Sequence, residues 1–301
     1  MRIRLDRRRF LKLAGSLGAA TALGGLGALE GLAQPSGTSL TALEAAARFL
    51  TQATLGPTLA LIDEAAALGP EAWIEAQFEQ PIGLLQPLAE DYDEEDLEEF
   101  WVGIFRFAWW QRVMASPDVL RQRIALALSE IFVISTVPDE LTGNPWGVAN
   151  YYDTLLRHAF GNFRDLLLDV TLHPCMGFYL SHVRNRKGNA AENRFPDENY
   201  AREVMQLFTI GLFELNPDGT PKQDAEGNPI PTYDNDDITE LAKVFTGLTY
   251  AGGQRNLDEF LYGEPVFTEP MVMYEPEHEF SDKRLPGGKV LFAGRDGMSD
   301  V

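Results

Sequence analysis

A helical pattern runs through Asp197-Glu198-Asn199-Tyr200-Ala201-Arg202-Glu203-Val204-Met205-Gln206-Leu207-Phe208-Thr209-Ile210-Gly211. Its apolar side chains recur at steps of three and four residues, at Tyr200, Val204, Leu207 and Phe208. This spacing places them on one face of an α-helix. We therefore predict a helix that buries this face in the core of a mainly α protein.

The polar residues of the same stretch fall on another face, at Asn199, Arg202, Glu203 and Gln206. Glu198 and Arg202 are four residues apart, in the order that favours an ion pair along a helix. One interpretation is a buried polar network that fixes helix packing. The other is the wall of a site, in which Glu203 acts as a base or ligand and Arg202 holds an anion, with Asn199, Glu198 and Gln206 as binding residues.

Helical periodicity continues on both sides of this stretch. It predicts further helices over 41–53, 58–68, 70–79, 97–109, 120–131, 145–160 and 163–172. Two turn signals, at 216–220 and 226–229, predict a β-hairpin near 215–232. Beyond Gly247 the periodicity is lost, and Gly and Pro accumulate. The expected fold is a multi-helix globular domain with one projecting β-hairpin and an irregular C-terminal segment.

The first 33 residues have the organisation of an export signal. An uncharged apolar run, 13–29, ends near the small residues Gly31 and Ala33, and it follows a basic segment that contains Arg7, Arg8, Phe10, Leu11 and Lys12. We predict a cleaved twin-arginine signal over 1–33 and a periplasmic or secreted domain over 34–301 without a membrane span. A retained membrane anchor is the alternative, but six glycines between Gly15 and Gly31 disfavour a spanning helix.

Charge and cysteine content exclude several classes of partner and site. The formal charge is −20, and removal of residues 1–33 takes away six basic and two acidic side chains, which leaves −24. Such a surface repels nucleic acid and anionic lipid, so neither is expected as a partner. Cys175 is the single cysteine, which excludes an intramolecular disulfide and a thiolate metal cluster. We interpret it as a small buried apolar residue.

The motifs resemble a known family. Residues 185–188 together with 197–211 resemble the central motif of a large bacterial family of exported proteins, catalogued as domain of unknown function 1800. Residues 236–247 and 278–283 are similar to two further motifs, and 47–58 to the family's opening. The resemblance covers roughly 45–290. It implies a helical fold and an envelope or secreted location, and it implies no reaction.

The sequence departs from the family pattern in two places. Many members carry a Trp-His-Asn-His-like cluster on the helix that corresponds to 126–132, and this chain has no histidine there. A metal site built on that cluster is therefore not expected. Members also usually continue well beyond the position of Val301, so we expect that the chain lacks the C-terminal portion.

Other candidate residues are few. His278 and Asp282 lie in an acidic loop and could hold a divalent ion, with a solvated loop as the alternative. No other cofactor is evident. His173 and His182 are nine residues apart, too far for both to bind one metal from a single helix. Asp237 and Glu240 are spaced as a helix cap and its reciprocal partner.

Two classes of function fit these features. The first is a non-catalytic envelope component that binds a partner protein or a surface polymer through the hairpin and the acidic face. The second is a hydrolase-like or metal-assisted enzyme that uses Arg202, Glu203 and the His278 loop. The absence of a Gly-x-Ser-x-Gly, His-Glu-x-x-His or Walker motif from the sequence favours the first.

Export can be tested with the signal alone. A fusion of residues 1–40 to a folded reporter is expected to reach the periplasm. Arg7→Lys combined with Arg8→Lys is expected to block export, because the adjacent arginines are what the twin-arginine route recognises. Cell fractionation measures both. Export of the double variant through the general secretory route would contradict the twin-arginine assignment.

Overall fold

The computed structural model describes residues 40–92, 103–137 and 139–301. The protein is mainly α, as the sequence predicts. The predicted signal and the first residues of the predicted 97–109 helix lie outside the described residues. Among the residues that are described, no helix is both long enough and apolar enough to cross a membrane.

The α-helices follow the predicted order closely. They are α1 (Leu40–Ala53), α2 (Leu59–Leu68), α3 (Pro70–Phe78), α4 (Gln86–Glu90), α5 (Ile104–Ala115), α6 (Val119–Ile131), α7 (Asp139–Thr142), α8 (Pro145–His158), α9 (Phe163–Leu172), α10 (Pro174–Tyr179), α11 (Asn199–Glu203), α12 (Asn235–Ala242) and α13 (Leu257–Tyr262). Four short strands form two antiparallel pairs, β1 (Leu248–Thr249) with β2 (Val272–Met273) and β3 (Lys283–Leu285) with β4 (Lys289–Leu291).

The chain divides into two compact units between Leu126 and Ala127, inside α6. In the first unit, Trp73 is fully buried and packs edge-on against Phe49 with ring centroids 5.4 Å apart. Leu50 and Ala65 complete this core from α1 and α2. The three helices are joined by short turns, and Gly69 ends α2 at a φ of +80°, a conformation that favours glycine.

A buried carboxylate, Asp118, fixes the start of α6. Its oxygens accept hydrogen bonds from the amide of Gly83 at 2.9 Å and from the side chain of Gln122 at 3.3 Å, and also from the Ser116 hydroxyl. A Cβ at position 83 would lie 2.3 Å from the Ser116 oxygen, so a larger residue there would displace the Ser116 side chain from this network. The network compensates for the desolvation of the carboxylate.

Helix α8 forms the centre of the second unit. Ten of its fourteen residues are buried, which identifies it as an internal helix and not a surface one. Gly147 permits a close approach, because an added Cβ would lie 2.5 Å from the Cβ of Phe267. Helices α9 and α10 pack beside α8, and Thr171 of α9 contacts Tyr200 of the central motif.

The cap of α12 lies one turn earlier than predicted. Asp234, and not Asp237, precedes the helix, and its carboxylate accepts from the amide of Asp237 at 3.1 Å. Asp237 completes the capping box as the reciprocal partner, so the box spans 234 and 237. Glu240 instead pairs with Lys243 and accepts from the amide of Arg284 at 3.1 Å. Asp234, Asp237 and Glu240 are each three residues apart, so the pairs 234/237 and 237/240 fit the capping-box spacing equally well in sequence.

The segment predicted as a hairpin near 215–232 contains three extended pieces joined by two turns. The amide of Lys222 donates to the carbonyl of Glu214, that of Ile230 to Lys222, and that of Glu214 to Ile230, at 2.7, 3.0 and 2.9 Å. The three pieces therefore close a ring of backbone hydrogen bonds. Its members are eight residues apart, as are the turn glycines Gly219 and Gly227. We call residues 212–232 the extension.

Candidate functional site

The central motif combines two kinds of helix. Helix α11 passes directly into a π-helix, Val204–Phe208, whose wider turn is rare and is frequent at functional sites. Tyr200, Val204 and Phe208 are buried as predicted. Leu207, predicted to be buried, is 61% exposed, and Met205 is buried in its place. The longer π repeat rotates the later residues away from the α-helical register on which the prediction was based.

Tyr200 anchors the motif in a buried polar contact. Its ring stacks on that of His182 with centroids 3.9 Å apart, and both side chains are fully buried. The Thr171 hydroxyl donates to the carbonyl of Leu167 at 2.7 Å, so the Tyr200 hydroxyl, also 2.7 Å away, must donate to Thr171. Sequence reasoning missed this contact, because Thr171 ends a helix about thirty residues earlier.

Thr171 also determines which ring nitrogen of His182 carries the hydrogen. The Nε2 atom of His182 lies 2.8 Å from the carbonyl oxygen of Thr171, which can only accept, so Nε2 carries the hydrogen. Burial lowers the pKa of His182 to about 4, against the opposing effect of this hydrogen bond. Nδ1 is buried and has no hydrogen-bond partner among the described residues.

His173 is a second neutral, buried histidine. Its Nδ1 accepts from the amide of Cys175 at 3.2 Å and caps α10, while Nε2 donates to the Asn150 amide oxygen at 2.9 Å. Burial lowers the pKa of His173 to about 3. Cys175 is fully buried, and burial raises the pKa of its thiol, as expected of an apolar packing residue and not of a nucleophile.

The segment that carries His182 has a strained backbone. Ser181 and Arg184 have φ values of +61° and +59°, a region that few residues other than glycine adopt. Such strain costs on the order of 1–3 kcal/mol and clusters at functional sites. The side chain of Asn185 brackets Asp197, accepting from its amide at 2.8 Å and donating to its carbonyl at 3.2 Å. These hydrogen bonds stabilise the strained backbone of the segment and hold it against the central motif.

The predicted polar face divides into separate contacts. Arg202 pairs with Glu198 at 3.3 Å, as the spacing predicts, and Glu198 also accepts from the Thr239 hydroxyl at 3.0 Å. This links α11 to α12. The side-chain amide of Asn199 donates to the Ser181 hydroxyl at 3.1 Å. The predicted residues thus connect the motif to its neighbours, and the contacts among them do not form one network.

Glu203 and Gln206 lie next to the change from α- to π-helix. Both residues are half-buried. The Oε2 atom of Glu203 is shielded from solvent and has no hydrogen-bond partner within the described part of the chain. Arg202 pairs with Glu198 and not with Glu203. A shielded, unpartnered carboxylate oxygen is the arrangement that a ligand-binding role for Glu203 would require.

The predicted metal-binding residues have different partners. His278 is fully buried, with Nδ1 2.7 Å from the carbonyl of Thr246 and Nε2 3.2 Å from a carboxylate oxygen of Asp300. Asp282 is exposed and accepts from the amide of Ala293 at 2.6 Å. Among the described residues, no group of three or more His, Cys, Asp or Glu side chains is placed to hold a metal ion. A metal at His278 and Asp282 stays a prediction.

Two ion pairs with buried carboxylates near His278 were missed by the sequence reasoning. The Lys283 ammonium lies 2.7 Å from Asp300, and both side chains are 2% exposed. Arg186 donates two hydrogen bonds to the buried carboxylate of Glu277, from Nε at 3.0 Å and from Nη2 at 2.9 Å. The hydrogen bond to Glu277 raises the pKa of Arg186. Partners 17 and 91 residues apart carry no pairing signal in sequence.

Comparison with known proteins identifies the family of this chain. The model of the family described as "Protein of unknown function (DUF1800)" matches residues 48–301. The chain belongs to this family, which confirms the resemblance seen in its motifs. No curated protein and no solved structure matches the chain. The family description assigns no reaction.

The two buried histidines predict loss of stability in acid. Their folded pKa values lie below the unfolded value of about 6.5, so the unfolded chain takes up protons that the folded chain does not. The stability they contribute is complete above about pH 6.5 and is lost as the pH falls towards 4 and 3. Between pH 7 and pH 5, each is expected to lower the free energy of unfolding by roughly 2 kcal/mol.

Urea unfolding at pH 7, 6 and 5 measures this loss. His182→Phe retains a ring on Tyr200 but cannot be protonated, so its unfolding free energy should depend less on pH by roughly 2 kcal/mol over the same range. Each variant is compared with its own value at pH 7, which removes any constant cost of the substitution. An unchanged pH dependence would contradict the assignment for His182.

The Glu203 side chain can be tested for a structural role. The network interpretation expects Glu203→Gln to cost roughly 3–5 kcal/mol through an unpaired buried arginine. Because Arg202 pairs with Glu198 and both are about 40% exposed, we expect a change below about 1 kcal/mol instead. Glu198→Gln serves as the matched control, with a similarly small cost. A loss above about 3 kcal/mol on urea unfolding would restore the network interpretation.

Proposed function

We propose that this protein is an exported component of the bacterial envelope, periplasmic or secreted, which binds a partner protein without carrying out a reaction. The predicted signal and the resemblance to an exported family support the location. The observation that carries the binding role is a row of exposed apolar side chains that runs from the π-helix into the extension. A surface polymer is the alternative type of partner for such a component.

This row, the apolar strip, occupies nine residues of sequence. Its members are all exposed, between 40% and 61%, and they are Leu207, Ile210, Leu212, Phe213 and Leu215. Single exposed apolar side chains are common on protein surfaces, whereas five of them within nine residues of sequence are what an interaction site would supply. The π-helix contributes to the strip directly, since it rotates Leu207 to the surface.

The extension contributes three residues of the strip, and none of its own residues is buried. Its ring of backbone hydrogen bonds satisfies the central amides, so it has little capacity to pair with an added strand. Asp218 and Asp224 accept from amides within their own turns and stiffen them. A partner would therefore recognise the side chains of a pre-ordered surface, which reduces the entropy cost of binding.

Charge defines the chemistry of the partner. The extension contains four carboxylates and one ammonium, at Glu214, Asp218, Asp224, Glu226 and Lys222. Lys222 is paired with Glu214 at 3.1 Å, which leaves an acidic border beside the apolar strip. The complementary partner is a protein with an apolar patch bordered by lysine or arginine.

Photo-crosslinking in the native host tests this proposal. Benzoylphenylalanine at Leu207 or Leu215 is expected to crosslink to one envelope protein. At the control position Phe292, which is 70% exposed, no such adduct is expected. With the identified partner purified, Leu207→Ser combined with Phe213→Ser should weaken binding by roughly tenfold or more, because interface energy is concentrated in a few apolar anchors.

The contribution of the acidic border to partner binding is tested by a pair of charge-reversal variants. Glu226→Lys is expected to weaken binding and to reduce its salt dependence, whereas Glu269→Lys, an exposed change of the same charge, should leave both unaltered. Adducts of equal yield at Phe292 and at the strip would refute the proposal. So would a partner whose affinity is unaffected by the double serine variant.

A hydrolase-like or metal-assisted activity is the second candidate, and one observation favours it. The Oε2 atom of Glu203 is buried and unpartnered in the described part of the chain, beside a π-helix. If this carboxylate has a chemical role, Glu203→Gln would abolish complementation of a deletion strain at unchanged stability. If the protein is a binding component, that variant would complement fully, while the strip variants would not.

A further inference from the structure

A second surface has the opposite charge to the rest of the protein. Residues 184–194 contain four basic side chains and one acidic side chain in a chain of net charge −20. We call the group formed by Arg186, Lys187, Arg194, Phe195 and Tyr262 the basic island. The apolar strip and the extension share none of these residues, so the island is independent of the proposed partner site.

The guanidinium groups of the island are held in fixed positions. Arg186 is clamped by Glu277 through two hydrogen bonds. Arg194 donates from Nε to the carbonyl of Lys187 at 3.1 Å and pairs with Glu192 at 2.6 Å. Side chains fixed in this way lose little entropy when a ligand binds.

The pairing leaves an excess of positive charge. Arg186 and Arg194 pair with two carboxylates, Glu192 and Glu277, and Lys187 adds a third positive charge to the island. The amide of Lys187 donates to the carbonyl of Glu277 at 3.0 Å, but its ammonium group has no ion-pair partner among the described residues. This half-exposed ammonium is available to an anionic ligand.

Two residues of the island are exposed aromatic residues. Phe195 directly follows Arg194 and is 72% exposed, and Tyr262 is 78% exposed. The guanidinium of Arg184 donates to the carbonyl of Gly263, which fixes the end of α13 beside the island. Tyr262 is also close enough to contribute, after Glu277, to the raised pKa of Arg186.

We infer that the basic island binds an anionic polysaccharide of the cell surface, one that carries carboxylate or sulfate groups. Cationic side chains pair with those groups, and the exposed rings of Phe195 and Tyr262 pack against the apolar faces of the sugars. Because the island is small and the chain is strongly acidic, densely charged nucleic acid and extended anionic membranes are repelled over most of the surface. Spaced charges on a flexible glycan suit such an island.

Affinity electrophoresis and titration of the purified protein at low ionic strength test this inference. Polygalacturonate supplies carboxylates, dextran sulfate supplies sulfates, and neutral dextran is the uncharged control. At least one of the two anionic polymers is expected to bind, and neutral dextran is not. Lys187→Glu and Tyr262→Ala should each weaken that binding by roughly fivefold or more without lowering the thermal midpoint.

Two substitutions of equal chemistry serve as controls. Lys289 is exposed on β4, so Lys289→Glu repeats the charge change at another place, and Phe292→Ala repeats the loss of an exposed ring. Both should bind like the parent. Equal weakening by Lys289→Glu would show non-specific charge attraction and overturn the inference. Failure to bind either anionic polymer would also overturn it, as would tighter binding to anionic vesicles or to an oligonucleotide. None of these outcomes bears on the crosslinking of the apolar strip.

Discussion

The second unit depends on how Thr171 holds two aromatic rings. Its hydroxyl accepts from Tyr200 and its carbonyl accepts from His182, while the two rings stack on each other. Each polar atom so engaged would be costly to bury without a partner. The contact therefore fixes the first turn of the central motif against α9 and against the strained segment at 181–185. Because α11 passes directly into the π-helix, this contact also positions the π-helix and the residues that follow it.

Burial of charge organises the rest of that unit. Asp300 and Glu277 lie out of solvent, and each carboxylate has a cation in contact, Lys283 in one case and Arg186 in the other. Desolvation would cost several kcal/mol for each charge without such pairing. His278 lies among these groups with both ring nitrogens in contact with oxygen atoms. His278, which the sequence offers as a metal ligand, is thus engaged with neighbouring groups of the protein.

Two surfaces of opposite character remain exposed once these pairings are made. We propose that the apolar strip with its acidic border binds a basic protein partner and that the basic island binds an anionic glycan. A protein that carries both could connect a polymer to an envelope component, and binding to one surface does not require the other. The basic island lies on a strongly acidic protein. The acidic surface around it repels densely charged polyanions, so the island favours ligands of lower charge density.

The mainly α fold, most helix positions, the Glu198–Arg202 pair and the family could be predicted from the sequence, because these depend on residues close in the chain. Periodicity could not show that Leu207 is exposed and Met205 buried, since tertiary packing stabilises a π turn there. Neither could spacing distinguish Asp234 from Asp237 as the cap of α12. The partners of Tyr200, Glu277 and Asp300 were decided only by the tertiary structure. Contacts between distant residues leave no local pattern, and their energy comes from burial that folding creates.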